Sequence, residues 1–160
     1  MHWGTAIERS ETDKIIRFIR YGIDINEPLQ YGDSPLHVCA KLGHLDACQI
    51  LLLYDADVHV KNRLGYTAIQ LAARYGHNYV LLKTLLEFGA DPFERNIHGK
   101  CALDYSYGYT HHSMFIMYVI FKGWNRWSSN RVKSREKQFL RFVWEKCLIS
   151  CELESLSQFI

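Results

Sequence analysis

The sequence predicts an all-α fold in which short helical hairpins stack side by side, and three observations support this prediction. Residues 34–44, SPLHVCAKLGH, and residues 67–77, TAIQLAARYGH, are nearly the same phrase, 33 positions apart. A third version, CALDYSYGYTH, begins at Cys101, and an apolar segment such as CQILLLYDADVH follows each phrase. A fixed period of about 20 to 50 residues is typical of stacked repeats. We therefore predict repeat starts near positions 1, 34, 67 and 101.

The composition fits one globular domain and excludes several classes of protein. The 160 residues are 48% apolar and 22% charged, with a formal net charge of +2, so the molecule as a whole is not expected to bind nucleic acid or membrane. The longest apolar run, residues 114–121, is far shorter than the roughly 20 residues of a membrane span. Five cysteines and an N-terminus without a secretion signal indicate a reducing compartment, the cytoplasm or alternatively the nucleus.

Each inner copy is predicted to begin with a short helix. Ser34 is suited to the N-cap position with Pro35 as the first helical residue, and Thr67 repeats the arrangement less strongly. Gly43 and Gly76 are expected to end these helices.

A second, more apolar helix is predicted to follow in every copy. Its end is marked by a residue suited to the left-handed conformation, namely Gly22, Asp55, Gly89 or Gly123. About ten residues rich in turn formers then lead to the next copy, which predicts a loop that protrudes from the helices.

Three motifs extend this pattern to a known family. They are the run Ser34-Pro35-Leu36-His37, the Gly-His pairs at 43–44 and 76–77, and the phrases DADVH and GADPF after the second helices. With the 33-residue period, they resemble the ankyrin-repeat family, over residues 1–123. The resemblance implies an ankyrin-repeat solenoid of helix-turn-helix units with β-hairpin fingers, in which the degraded outer copies cap the stack.

The resemblance also implies where a partner binds, because family members bind other proteins on the concave side, through finger tips and the first helices. Carried over position by position, these places are occupied here by Tyr31, Asp33, Arg63, Leu64, Tyr66, Arg74, Tyr75, His98, Lys100 and Tyr109. Tyr and Arg often dominate binding hot spots. We predict a non-enzymatic protein–protein interaction module that binds or masks its partner, as an inhibitor or adaptor in signalling or host–pathogen interaction. The alternative is that the tyrosines only pack against neighbouring fingers.

Residues 124–160 differ from the repeats in charge and pattern. They are predicted to form a basic degenerate hairpin and a C-terminal capping helix, SREKQFLRFVWEKCLISC, with one apolar face. A monomer is expected, and an exposed helix that binds a partner or a second copy is the alternative. A second alternative is nucleic-acid binding or nuclear import through a basic patch formed by Arg131, Lys133, Arg135 and Lys137.

The sequence contains none of the common catalytic motifs. It has no phosphate-binding glycine loop, no paired zinc-ligand spacing and no nucleophile elbow, so no cofactor, metal or enzymatic activity is expected. Cys39 and Cys48 are expected to be buried and unreactive. The resemblance implies that His37 orients a finger through hydrogen bonds.

Overall fold

The computed structural model describes residues 2–75 and 79–105, which form seven α-helices, one short 3-10 helix at Gln30–Gly32 and, within these ranges, no strand. Three consecutive copies contain two helices each, and the fourth contributes its first helix. The helices are α1 (Trp3–Glu8), α2 (Thr12–Arg20), α3 (Pro35–Leu42), α4 (Leu45–Leu53), α5 (Ala68–Arg74), α6 (Tyr79–Glu87) and α7 (Ala102–Tyr105).

The helices are arranged in two layers. The first helices α1, α3, α5 and α7 contact one another in order, and the second helices α2, α4 and α6 do the same. This arrangement confirms the predicted all-α solenoid of helix-turn-helix units. None of the helices within the described residues has the length and apolar character of a membrane span.

The first helices of the three later copies start with the same backbone interaction. The amide N–H of the N-cap residue donates to a side chain three residues further on, which satisfies one of the groups a helix start leaves unpaired. The pairs are Ser34 with His37 Nδ1 at 3.1 Å, Thr67 with Gln70 Oε1 at 3.2 Å and Cys101 with Asp104 Oδ2 at 2.8 Å. Cys101 is a poor cap by its own side chain, but Asp104 supplies the missing acceptor.

The second helices end as the sequence predicts. Gly22, Asp55 and Gly89 follow α2, α4 and α6 with φ angles of 85°, 64° and 95°, and Gly43 ends α3 in the same left-handed region. Gly76 and Gly123 lie outside the described residues.

The core lies between the two layers and is filled mainly by leucine, with small side chains where first helices meet. Ala6, Cys39 and Ala72 occupy the same position in three successive copies and are fully buried, which lets neighbouring helices approach closely. Cys48 is also buried, and a hydrogen bond with Cys39 together with burial raises the pKa of its thiol well above the usual value. The Cys48 thiol is therefore protonated at neutral pH, and the burial of both cysteines agrees with the sequence prediction.

Three fingers connect successive copies, and their tips are the five-residue turns 29–33, 62–66 and 96–100. In each tip the first N–H donates to the fifth carbonyl, at 2.7, 3.0 and 3.0 Å. The N–H of the fourth residue also donates to the first carbonyl, at 3.3, 2.9 and 2.9 Å. In the described residues the predicted β-hairpin fingers are therefore tight reverse turns without strands, because these bonds lie within each five-residue tip.

An asparagine side chain reinforces the second and third fingers. Asn62 Oδ1 accepts from the N–H groups of Leu64 and Tyr66, both at 3.0 Å, and Asn96 Oδ1 does the same for His98 and Lys100 at 2.9 and 3.1 Å. Such side-chain bonds to the local backbone stabilise turns. The first finger has Leu29 at this position, so its tip lacks this support.

Candidate functional site

The exposed side chains of the finger tips and of the C-terminal ends of α3 and α5 form a continuous surface, which we call the finger ledge. Arg63 packs over Gly32, Lys41 lies near the ring of Tyr75, and Arg74 lies near the ring of Tyr66. The finger ledge consists of Gln30, Tyr31, Lys41, Leu42, Arg63, Leu64, Arg74, Tyr75, Ile97, His98 and Lys100. Seven of the ten predicted partner-binding residues are among them.

Neighbouring fingers pack directly on one another through glycines in their tips. A methyl group placed on Gly32 would lie 2.7 Å from Arg63 Cγ, so the Arg63 stem covers the first finger. A methyl group on Gly65 would lie 3.0 Å from the backbone nitrogen of Ile97 in the third finger. An ion pair between Lys61 and Glu94, with Nζ and Oε1 2.9 Å apart, also joins the second and third copies.

Asp33 does not belong to the finger ledge, although the sequence placed it at a finger tip. Its side chain is only 9% exposed, and Oδ1 accepts a hydrogen bond from Asn62 Nδ2 at 2.6 Å. The carboxylate therefore holds the first and second fingers together and is not available to a partner.

Tyr66 was also expected to be accessible, but its side chain is 3% exposed. The ring is covered by residues of the third finger and the fourth copy. Its centroid lies 6.4 Å from that of His98 and 5.9 Å from that of Tyr105. Tyr66 is thus a contact between copies, which matches the alternative that some tyrosines only pack against neighbouring fingers.

A chain of hydrogen bonds surrounds the Tyr66 hydroxyl. Asn96 Nδ2 donates to the Tyr105 hydroxyl at 2.8 Å, and the Tyr105 hydroxyl donates to that of Tyr66 at 3.1 Å. Arg74 also donates to the Tyr66 hydroxyl. Burial, followed by the bond with Tyr105, raises the pKa of Tyr66, so the phenol is neutral at physiological pH.

The same cluster positions two cations of the finger ledge. The Arg74 guanidinium lies 5.4 Å from the Tyr66 ring centroid and 5.7 Å from that of Tyr105, and Lys100 Nζ lies 5.7 Å from the Tyr105 centroid. Lys41 Nζ lies 5.8 Å from the centroid of Tyr75 in the next copy. These cation–π contacts connect the inner helices to the third finger and restrict the orientations of the charged groups.

We expect Tyr66→Phe to lower the free energy of unfolding by about 1 to 2 kcal/mol, because Arg74 and Tyr105 both lose a partly buried partner. Tyr21→Phe is the matched control, since Tyr21 is 88% exposed and its loss of a hydroxyl should change stability by less than about 0.5 kcal/mol. Urea denaturation of both variants measures the difference. Equal stability of the two would show that the hydroxyl cluster does not hold the copies together.

The tips themselves expose large apolar side chains. Tyr31 is 81% exposed, Leu64 53% and Ile97 65%, one in each finger. Tyr31 also has a left-handed backbone, with φ 62°, which is uncommon for a residue other than glycine, asparagine or aspartate. Tyr31 therefore exposes its aromatic side chain to solvent while its backbone has a conformation that lowers the stability of the fold.

Replacing Tyr31 by glycine is expected to raise the free energy of unfolding by about 0.5 to 1 kcal/mol, because glycine removes the left-handed strain and little packing is lost. Leu64→Gly at the next tip is the control. Leu64 does not have a positive φ, so the same change there should lower stability by about 0.5 to 1 kcal/mol. Thermal denaturation distinguishes the two signs, and destabilisation by both changes would contradict the strain.

Sequence reasoning missed Tyr105, whose hydroxyl and ring organise the cluster around Tyr66. The sequence did contain a signal for it. Tyr105 is the fourth-copy equivalent of Leu71, which is a core residue in the third copy. A tyrosine at this position brings a polar hydroxyl to the boundary between copies. The other predicted positions, Tyr109 and the basic patch of Arg131, Lys133, Arg135 and Lys137, lie outside the described residues.

The titratable groups of the described residues include no candidate metal centre. Within 2–75 and 79–105, no three His, Cys, Asp or Glu side chains are grouped so that they could hold a metal ion. Burial raises the pKa of Cys101, so this thiol is protonated at neutral pH as well. The arrangement of the finger ledge is suited to contact with another molecule.

Comparison with known proteins gives matches over the central copies. A family model described as Ankyrin repeats (many copies) matches residues 36–80, and one described as Ankyrin repeat matches residues 64–97. Among similar proteins is Probable E3 ubiquitin-protein ligase XBOS33 of Oryza sativa subsp. japonica, which is 48% identical over 54 residues, 34% of this chain and 10% of that protein.

Two shorter proteins are similar as well. Ankyrin repeat domain-containing protein 37 of Mus musculus is 40% identical over 58 residues, 36% of each chain. A Putative ankyrin repeat protein of Rickettsia bellii is 31% identical over 78 residues, 45% of this chain and 46% of that protein. The matched segments therefore cover 10% to 46% of the length of these three relatives.

Proposed function

Since this chain belongs to the ankyrin-repeat family, whose repeats are protein-interaction modules and typically not enzymes, we propose that it binds a protein partner through the finger ledge, on the concave face of the solenoid. The observation that supports this most is that three consecutive fingers each expose a large apolar side chain, Tyr31, Leu64 and Ile97. Apolar and aromatic groups on successive tips, flanked by arginine and lysine, have the composition of a binding hot spot.

The rigidity of the fingers supports the same function. The second and third tips are closed by backbone bonds and by Asn62 or Asn96, and adjacent tips pack on each other through Gly32 and Gly65. A surface that is already ordered loses little conformational entropy when a partner binds. We propose that the protein acts by stoichiometric occupation of its partner, as an inhibitor or adaptor.

The strain at Tyr31 is the second supporting feature. Residues held in sparsely populated backbone conformations cost about 1 to 3 kcal/mol and cluster at binding sites. Tyr31 has few neighbours to stabilise it, since its side chain is almost fully in solvent. The strained conformation directs this aromatic ring outward at the tip of the first finger, which we interpret as a feature retained for binding.

The test compares two triple variants that remove the same number of exposed large side chains. The ledge variant is Tyr31→Ala, Leu64→Ala and Tyr75→Ala. The rear variant is Tyr21→Ala, Tyr54→Ala and Phe88→Ala, which are exposed residues directly after α2, α4 and α6, outside the finger ledge. Both are first checked by circular dichroism for native helix content.

We expect the ledge variant to recover partners from cell extract at least about tenfold less than the native chain, since hot-spot truncations cost about 2 kcal/mol or more each. The rear variant should recover the same proteins as the native chain, as quantified by mass spectrometry. Loss of binding by the rear variant, or equal recovery by all three chains, would refute the proposal.

A further inference from the structure

We infer that the segment bound by the finger ledge is acidic and extended, with apolar side chains three residues apart. This inference rests on the proposed function and specifies the chemistry of the partner. It is supported by the charge of the finger ledge, by the way its cations are held and by the spacing of the copies.

Charge is distributed unevenly over the described copies. Residues 2–105 contain 11 Lys and Arg and 13 Asp and Glu, a net charge of −2. The finger ledge contains four of the basic residues, Lys41, Arg63, Arg74 and Lys100, and none of the acidic ones. It is thus strongly basic, whereas the remainder of these copies is acidic.

Three carboxylates of the fingers and of α7 are engaged in internal contacts. Asp33 accepts from Asn62, and Glu94 pairs with Lys61 at 2.9 Å. Asp104 accepts from the N–H of Cys101 and lies 3.9 Å from Arg95. The α1 positions equivalent to Lys41 and Leu42 hold Glu8 and Arg9, whose charges cancel. The ledge itself contains no carboxylate, and these three carboxylates contact groups outside it.

The cations are also held in place for a partner. Aromatic rings lie within 6 Å of Lys41, Arg74 and Lys100, and Gly32 lies under the stem of Arg63. Groups already oriented lose less side-chain entropy when they pair with a carboxylate. A surface of one sign attracts partners of opposite charge and excludes partners of like charge.

The spacing of the copies sets the register of the apolar side chains. Packed helices lie about 8 to 10 Å apart, so successive fingers repeat at about that distance. A polyproline II segment has 3 residues per turn and rises about 3.1 Å per residue, so every third side chain lies on one face, about 9 Å apart. A β-strand alternates faces and would place every third side chain on opposite sides. The apolar residues at i, i+3 and i+6 would contact Tyr31 and Leu64, which occupy the same place in their tips, and Ile97, one place earlier in the third tip, with acidic residues between them.

The experiment selects peptides from a random phage-displayed library of about 12 residues, long enough to span three tips at about 3.1 Å per residue, on the immobilised full chain. We expect enriched peptides with excess Asp and Glu and apolar residues at every third position. A fluorescein-labelled selected peptide should bind at least about tenfold more weakly to Arg63→Glu/Lys100→Glu and more weakly as salt increases. The control Arg17→Glu/Arg20→Glu, on the exposed side of α2, should change affinity by less than about threefold.

Several results would overturn the inference. In the selection, these are enrichment of neutral or basic peptides, enrichment of apolar residues at the helical spacing i, i+4 and i+7, or no enrichment over bare resin. In the binding assay, it is equal affinity of the peptide for Arg63→Glu/Lys100→Glu and Arg17→Glu/Arg20→Glu. The ledge triple variant separates this failure from failure of the proposed function. Non-acidic peptides that lose binding to it would leave the proposed function intact, whereas peptides that bind it as well as the native chain would refute both.

Discussion

Replacing His37 by alanine should lower the free energy of unfolding by about 2 to 4 kcal/mol, whereas replacing it by glutamine should cost less than about 1.5 kcal/mol. The His37 side chain is 1% exposed, and its two ring nitrogens join separate parts of the fold. Nδ1 accepts from the Ser34 N–H at 3.1 Å, and Nε2 donates to the carbonyl oxygen of Tyr66 at 2.8 Å. Alanine would leave the Ser34 N–H without its acceptor, remove one of the two hydrogen bonds to the Tyr66 carbonyl oxygen, which also accepts from the Asn62 N–H, and create a cavity.

Glutamine is the matched substitution because the next copy already uses it. Gln70 accepts from the Thr67 N–H and donates to the carbonyl oxygen of Glu94, and so joins the start of α5 to the following finger. His37→Gln can therefore preserve the bond at the start of α3 and a bond to the backbone of the following finger. Urea denaturation of the two His37 variants measures the difference, and an equal cost for both would show that these bonds do not stabilise the stack.

The native chain and His37→Gln also differ in how their stability depends on pH. Burial lowers the pKa of His37 below its ordinary value of about 6.5, against the opposing effects of the Tyr66 carbonyl and Asp33. The unfolded chain therefore takes up a proton at His37 at a higher pH than the folded chain does. The stability contributed by His37 is complete above about pH 6.5 and decreases as the pH falls below that value towards the folded pKa.

His37→Gln removes this titration, so the stability difference between the native chain and the variant should shift in favour of the variant below about pH 6.5. The other ionisable groups are common to both chains and largely cancel in the difference. Urea denaturation at a series of pH values provides the measurement. A difference that stays constant from pH 8 to pH 5, about 1.5 units to either side of the unfolded pKa, would contradict a neutral His37 in the folded protein.

Gly65→Ala is expected to lower the free energy of unfolding by about 2 to 4 kcal/mol, and Gly99→Ala by only about 1 kcal/mol. Both glycines have φ +70°, so the backbone strain imposed by alanine is the same. At Gly65 the new methyl group would also lie 3.0 Å from Ile97 N and 3.1 Å from Ile97 Cγ2, whereas no described atom is within 4 Å at Gly99. Backbone of the next finger has little room to move, so the overlap adds to the strain.

The two alanine variants therefore isolate the packing of one finger on the next. Chemical denaturation gives both free energies, and far-ultraviolet circular dichroism confirms that each variant retains its helices. If Gly65→Ala and Gly99→Ala cost the same, the fingers would not be in tight contact.

The sequence predicted the repeats well because their signals are local. Ser34 with Pro35, and the left-handed residues Gly22, Asp55 and Gly89, define helix boundaries through interactions of a residue with its own neighbours. The start of α3 and the ends of α2, α4 and α6 followed from these residues alone, and the repeat fold followed from the 33-residue period.

The burial of individual finger residues could not be predicted in the same way. Asp33, Tyr66 and Lys100 occupy the same position in successive fingers, yet the first two are buried and Lys100 is exposed. Tyr66 is covered because the following copy brings His98 and Tyr105 over its ring. Burial at this position depends on contacts between copies, which a repeat alignment does not contain.

The central claim is that the finger ledge is the surface that binds a protein partner. Hydrogen–deuterium exchange of the chain, alone and with a partner recovered by the native protein, tests it most directly. We predict that the partner slows exchange in the finger tips 29–33, 62–66 and 96–100 and at the ends of α3 and α5. Protection confined to the ends of α2, α4 and α6, with unchanged exchange in the fingers, would contradict it.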